Sequence, residues 1–179
     1  SYDGEEGGGS TIDRFVVNDA NTNGGNIIDG GEVDLRNTGW VGGLAGQRSN
    51  DILEVRNTAT VTTSDLTNVK NVGVLVMNND QAVTQTLNLT LNDATVDLLV
   101  DAGHASSATE VEQVRIVAND GLMTDEAGNA IVAVAGSALN VEARGLTAKS
   151  SLSIIGDTGF AINDTVNIST NVGSATPHF

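Results

Sequence analysis

The chain has no cysteine, which excludes disulfide stapling and thiolate chemistry alike. Its one proline, Pro177, stands next to the C-terminal end. Aromatic residues make up only 3% of the 179 positions, as Trp40, Tyr2, Phe15, Phe160 and Phe179. The core must therefore be aliphatic, and a sugar-cleaving cleft with aromatic platforms is disfavoured. No apolar run approaches the roughly 18 residues of a membrane-spanning helix. Histidine is limited to His104 and His178 and lysine to Lys70 and Lys149.

Acid is what the chain has in excess: 23 Asp and Glu against 8 Lys and Arg, a formal net charge of -15. In dilute buffer so much charge of one sign repels itself and opposes compaction. At molar salt the Debye length falls to about 3 Å and that repulsion is screened. Acidic, lysine-poor composition rich in Thr, Val, Asp and Ala is the expected signature of a halophilic, haloarchaeal source; the alternative is an acidic extracellular protein from a mesophile. The basic residues Arg14, Arg36, Arg48, Arg56, Arg115 and Arg144 are scattered singly, so nucleic acid and anionic membrane surfaces are not expected partners.

A flexible acidic, glycine-rich arm is expected over residues 1–10, which include Gly7-Gly8-Gly9-Ser10. The opening Ser1-Tyr2-Asp3-Gly4-Glu5-Glu6 is not a signal peptide. A leading Ser fits a trimmed initiator Met and favours use without export. Residues 11–179 read as a single domain. Short β-branched runs alternate with Asn/Asp/Gly turns, which predicts strands near Ile12–Val17, Glu32–Arg36, Ile52–Asn57, Ala59–Thr63, Val72–Met77, Val83–Leu91, Thr95–Val100, Val111–Ala118, Ala130–Ala135, Ala138–Ala143, Ser151–Ile155 and Thr165–Thr170. The clearest is Thr84–Leu91, with Leu87, Leu89 and Leu91 on one face and Thr84, Thr86, Asn88 and Thr90 on the other. Asn78-Asn79-Asp80, Asn119-Asp120-Gly121, Glu126-Ala127-Gly128-Asn129 and Asp157-Thr158-Gly159 supply residues that tolerate φ > 0. One helical turn is expected within Ser106–Val114, with Ser107 capping toward Glu110. No strict internal repeat is visible. The expected fold class is all-β: a single β-sandwich or jelly roll of short antiparallel strands.

Candidate chemistry is sparse. His104 sits in a predicted loop with no second ligand or base beside it, and no nucleophile elbow or triad can be assembled. Gly42-Gly43-Leu44-Ala45-Gly46-Gln47-Arg48-Ser49 lacks the Gly-Lys-Ser/Thr ending of a phosphate loop. Asp19-Ala20-Asn21-Thr22-Asn23-Gly24 matches the first half of a calcium loop, in which oxygen ligands alternate and Gly makes the sharp turn. Gly30 stands where the bidentate Glu belongs, and Asp29 and Glu32 are displaced substitutes. The candidate ligands of a structural Ca, Mg or Na ion are therefore Asp19, Asn21, Asn23 and Asp29. The competing reading is an Asn/Gly-rich turn with no cofactor. Sequons begin at Asn88, Asn163 and Asn167 and matter only on an exported chain.

The acidic, lysine-poor sandwich layout, the missing export signal and the glycine-rich arm together resemble a small major capsid protein of the icosahedral, internal-membrane-containing haloarchaeal viruses. That resemblance, over Thr11 to about Thr170, implies a single upright jelly roll. It also implies a non-enzymatic coat subunit of the virion that assembles with copies of itself and a related second capsid protein. A shorter stretch, Arg115-Ile116-Val117-Ala118 with Asp125-Glu126-Ala127-Gly128-Asn129-Ala130, is similar to hairpins of immunoglobulin-like surface modules. It implies an exported, extracellular surface-layer or filament module instead. A carbohydrate-binding or hydrolytic domain is the third expectation.

Overall fold

The computed structural model describes residues 2–3, 13–17, 27–30, 46–47, 51–56, 60–101, 111–119, 121–125, 127–132, 135–147, 150–157 and 164–168. Within them lie thirteen strands and one helix. They are β1 (Tyr2–Asp3), β2 (Arg14–Val17), β3 (Ile28–Asp29), β4 (Gly46–Gln47), β5 (Ile52–Arg56), β6 (Thr60–Val61), β7 (Val69–Lys70), β8 (Val74–Asn78), β9 (Gln85–Asn92), α1 (Asp93–Asp101), β10 (Val111–Ala118), β11 (Ser137–Gly145), β12 (Ser150–Ile155) and β13 (Thr165–Ile168).

These strands form three sheets. Sheet I has the order β1-β3-β7, sheet II the order β12-β10-β8-β5-β2 with β4 also on β10, and sheet III the order β13-β11-β9-β6. Every pairing between these strands is parallel. From β5 the chain visits sheet II, sheet III and sheet I in turn, then returns to sheet II one strand further along. The result is a parallel β-coil, in which each strand stacks on the strand one turn away rather than on its sequence neighbour.

The antiparallel sandwich or jelly roll expected from the sequence is thereby overturned. Consecutive runs such as β8 and β9 are not arms of a hairpin. The turn residues between them carry the chain around a corner into another sheet. Alternation of apolar and polar residues reports which face is wet, and it is the same for parallel and antiparallel neighbours. Sheet III does alternate, with Leu87 and Leu89 buried and Asn88 and Thr90 half-exposed. Sheet II does not: in β5 and β8 four consecutive residues are buried, the signature of a parallel sheet covered on both faces.

The interior is a set of aliphatic columns. Phe15, Leu53, Leu75, Ile116 and Ile154 are register partners across sheet II. Val61, Leu89, Val141 and Val166 are register partners across sheet III. The central members are at most 1% exposed, and Phe15, Ile154 and Val166 close the columns half-buried. Residues 13–17, 52–56, 111–118 and 150–155 fall close to predicted strands; the two-residue strands of sheet I are too short to read from alternation.

Helix α1 takes the place of a fourth strand on sheet I. Thr95–Val100, expected as a strand, lies inside it. Asn92 caps it, its Oδ1 accepting from the Thr95 amide and hydroxyl at 2.9 Å each. Thr95, Val96, Leu99 and Val100 form its buried stripe. The Asn71 amide donates to the Leu98 carbonyl at 3.0 Å, joining the helix to the end of β7. Asp93 Oδ1 accepts from the Thr147 amide at 2.9 Å and the Ser150 hydroxyl at 2.7 Å, which ties the helix start to β12.

Other expectations also change. Val111–Ala118 is a strand as expected, and the helical turn expected within Ser106–Val114, with Ser107 capping toward Glu110, falls on residues 106–110, which lie outside the described residues. Among the described residues of Ala130–Ala135 only Ala130 pairs, as an isolated antiparallel bridge to Thr124. Tyr2–Asp3, inside the expected arm, pair with β3, and residues 4–10 lie outside the described residues, as do Glu32–Arg36.

Leu89→Ala, in the middle of the sheet III column, is expected to lower unfolding free energy by about 3 kcal/mol. Val132→Ala, at 79% exposure, should change it by less than about 0.5 kcal/mol. Denaturant melts at fixed salt check both.

Candidate functional site

Outward positions on a coil are normally wet, yet Glu54, on β5 of sheet II, is fully buried on the outer face. Its register partners there are Val16 and Val76. Glu54 Oε1 accepts from Arg56 Nε at 2.5 Å and from Asn78 Nδ2 at 2.8 Å. Oε2 accepts from Arg14 Nε at 2.8 Å and faces Arg14 Nη2 at 2.6 Å. Sequence proximity supplies Arg56, two residues along the same strand and so on the same face. The parallel register supplies Asn78, the partner of Arg56, and brings Arg14 from β2.

The loop after β10 reaches this face at Arg56. Arg56 Nη1 donates to the Thr124 carbonyl at 2.7 Å. Met123, the neighbouring residue, is 0% exposed but not part of the main aliphatic core, and Val76 likewise. Asp125 shapes the loop tip: Oδ1 accepts from the Ala127 and Asn129 amides at 2.9 and 2.8 Å, and Oδ2 accepts from Asn129 Nδ2 at 2.9 Å. Gly128 sits at φ +83, where a β-carbon would be strained.

Burial alone would push the Glu54 carboxyl up. Hydrogen bonds from Arg56, Asn78 and Arg14, with the Arg14 charge, outweigh it and hold the group below the usual carboxylate range. A carboxylate with both oxygens engaged by two guanidiniums is a poor general base. The arrangement is suited to clamping the loop onto the sheet. Because the pair is buried, salt screens it far less than the surface charges.

The residues singled out in the sequence lie elsewhere. Asp19, Asn21 and Asn23 lie outside the described residues, as do His104, His178 and Asn163. Asp29 is on β3, where its Oδ1 accepts from Asn71 Nδ2 at 2.8 Å. Among the described residues no group of three or more His, Asp or Glu is placed to hold a metal. Of the glycine-rich loop, Gly46–Gln47 are described, and they pair with Val111–Glu112 as a strand. Asn88 and Asn167 are on the outer row of sheet III: Asn140 Nδ2 donates to Asn88 Oδ1 at 2.9 Å. None of the Glu54 network was legible as a site. The one signal was a Glu two residues before an Arg inside an otherwise apolar strand.

A scan of protein-family models, a search of curated proteins and a search of solved structures each find no match.

Glu54→Gln leaves two guanidiniums over a neutral amide and should cost about 3 to 5 kcal/mol at neutral pH. The sign of the pH effect follows from the depressed folded-state value. The stabilisation is complete above the unfolded carboxylate value of about 4.3. It is lost as pH falls through the lower folded value. The difference between wild type and Glu54→Gln should therefore shrink on acidification below about pH 4 and stay flat above about pH 6. Urea melts of both proteins across that range check it.

Proposed function

We propose that this chain is a structural module of a cell-surface layer or filament that works in brine. The parallel coil is the observation that carries the reading. A coil of stacked strands presents extended walls whose rows repeat at strand spacing, a geometry suited to lateral contact and to stacking in line. The outer wall of sheet III is a polar, nearly uncharged surface. Thr60, Asn88, Asn140 and Thr165 form one row, and Thr90, Glu142 and Asn167 the next. Such a wall stays hydrated and can still lie against a neighbour without strong repulsion. The 23 acidic residues keep the module soluble, and molar salt screens their mutual repulsion. The role is mechanical: the aliphatic columns and the Glu54 clamp hold the shape, and contacts between walls do the work.

The coat-subunit reading took its architecture from an upright jelly roll. With that block replaced by a parallel coil, a virion role is supported by composition alone, and the second capsid protein loses its rationale as a partner. Immunogold labelling, with antibody raised to the purified chain, separates the two on source cells and on particles from their culture. Label along the envelope of intact cells is the expected result. Label confined to closed particles, or to the cell interior, would overturn the proposal.

A further inference from the structure

Among the described residues, three buried side-chain oxygens lack any hydrogen-bond partner, and all three lie at one corner of the coil. They are Gln85 Oε1, Asn119 Oδ1 and Ser137 Oγ. The corner is where the chain leaves sheet II for sheet III. Asn119 follows β10 in the left-handed region at φ +53, its amide donating to the Met77 carbonyl at 3.0 Å. Asp157 follows the end of β12, one turn on, and its Oδ2 accepts from Asn119 Nδ2 at 3.1 Å. The same oxygen accepts from the Ser137 amide at 3.1 Å. Gln85 is the register partner of Ser137. Gln85 and Ser137 each stand two residues before an inward-facing leucine, Leu87 and Leu139, so both side chains enter the interior. Ser137 is 0% exposed.

Two donors at this corner, the Asn119 side-chain amide and the Ser137 backbone amide, are spent on Asp157. What remains is two amide oxygens and a hydroxyl beside a carboxylate. Amide and hydroxyl oxygens beside a carboxylate are ligands of a hard cation, and an orphaned buried oxygen is costly unless something takes its lone pairs. Calcium sites usually gather several carboxylates, whereas this corner offers one. The geometry points to a bound monovalent cation, Na+ or K+, held by Gln85 Oε1, Asn119 Oδ1 and Ser137 Oγ, with Asp157 supplying the balancing charge. The ion fixes the turn between the two sheets in consecutive coils.

Thermal unfolding of the full chain tests this at fixed molar chloride, with Na+ or K+ replacing tetramethylammonium, which is too large to enter. The midpoint should rise and saturate with one or both small cations, and the ion with the lower half-saturation is the resident one. Ser137→Ala and Asp157→Asn should raise that half-saturation about tenfold or more, the usual scale for weakening a metal's ligand shell. Asp125→Asn, in the exposed loop, should leave it unchanged. Should Asp157→Asn fail to fold, Ser137→Ala decides alone. Equal midpoints in all three salts, or an unshifted half-saturation in Ser137→Ala, would overturn the proposal and leave the corner to an ordered water.

Discussion

Parallel pairing forces row onto row: each residue of one turn sits about 4.8 Å from its counterpart in the next. A position can be filled only by a residue that tolerates its register partners above and below. Inside, Leu53, Leu75 and Ile116 satisfy this by stacking aliphatic on aliphatic. At the corner, Asn119 and Asp157 satisfy it by hydrogen bonding across turns. Outside, Asn88 and Asn140 do the same with their side-chain amides.

That constraint governs where so acidic a chain can keep its carboxylates. Like charges in register are destabilising. In the described strands of sheets II and III no two carboxylates are register partners. Glu54 lies between Val16 and Val76, Glu112 between Gln47 and Ser150, and Glu142 between Thr90 and Asn167. Sheet I has one acidic pair, Asp3 with Asp29, and Lys70 stands next in that row. Several of the remaining acids are at turns and the helix start, where Asp51, Asp65, Asp93 and Asp125 accept backbone amides. Among the described residues, the carboxylate buried in a strand, Glu54, is neutralised locally by Arg14 and Arg56, two of only 8 basic residues in the chain. Salt can therefore screen the surface without loosening the clamp.

Strand positions were largely legible, because β-branched runs and Asn/Asp/Gly punctuation mark strands and turns in any β fold. Strand direction was not. The in-register step runs from Arg14 to Ile52, then Ile52 to Val74, then Val74 to Arg115, and these unequal intervals hide the repeat from any fixed-period reading. The unbroken burial of Leu53–Arg56 and Leu75–Asn78 was the available sign of a two-sided parallel sheet. The run at Thr95–Val100 fits strand and helix alike, and Asn92 as a cap resolves it. The Glu54 network and the Gln85–Asn119–Ser137 corner join residues from separate turns. They become neighbours only once the register is known, so residue spacing could not have found them.

The register is also what a direct measurement reaches, because a chain without cysteine accepts engineered pairs cleanly. In a parallel ladder the offset between partners is constant, whereas in an antiparallel ladder it reverses. Asn88→Cys with Asn140→Cys and Thr90→Cys with Glu142→Cys both join register partners of β9 and β11. Their spacing lies within the range a disulfide spans. Oxidation of each double variant in molar salt, read by mass spectrometry, should give both cross-links, while Thr90→Cys with Ala138→Cys should stay reduced. Cross-linking at 88/140 and 90/138 but not at 90/142 would mean antiparallel strands and would contradict the coil.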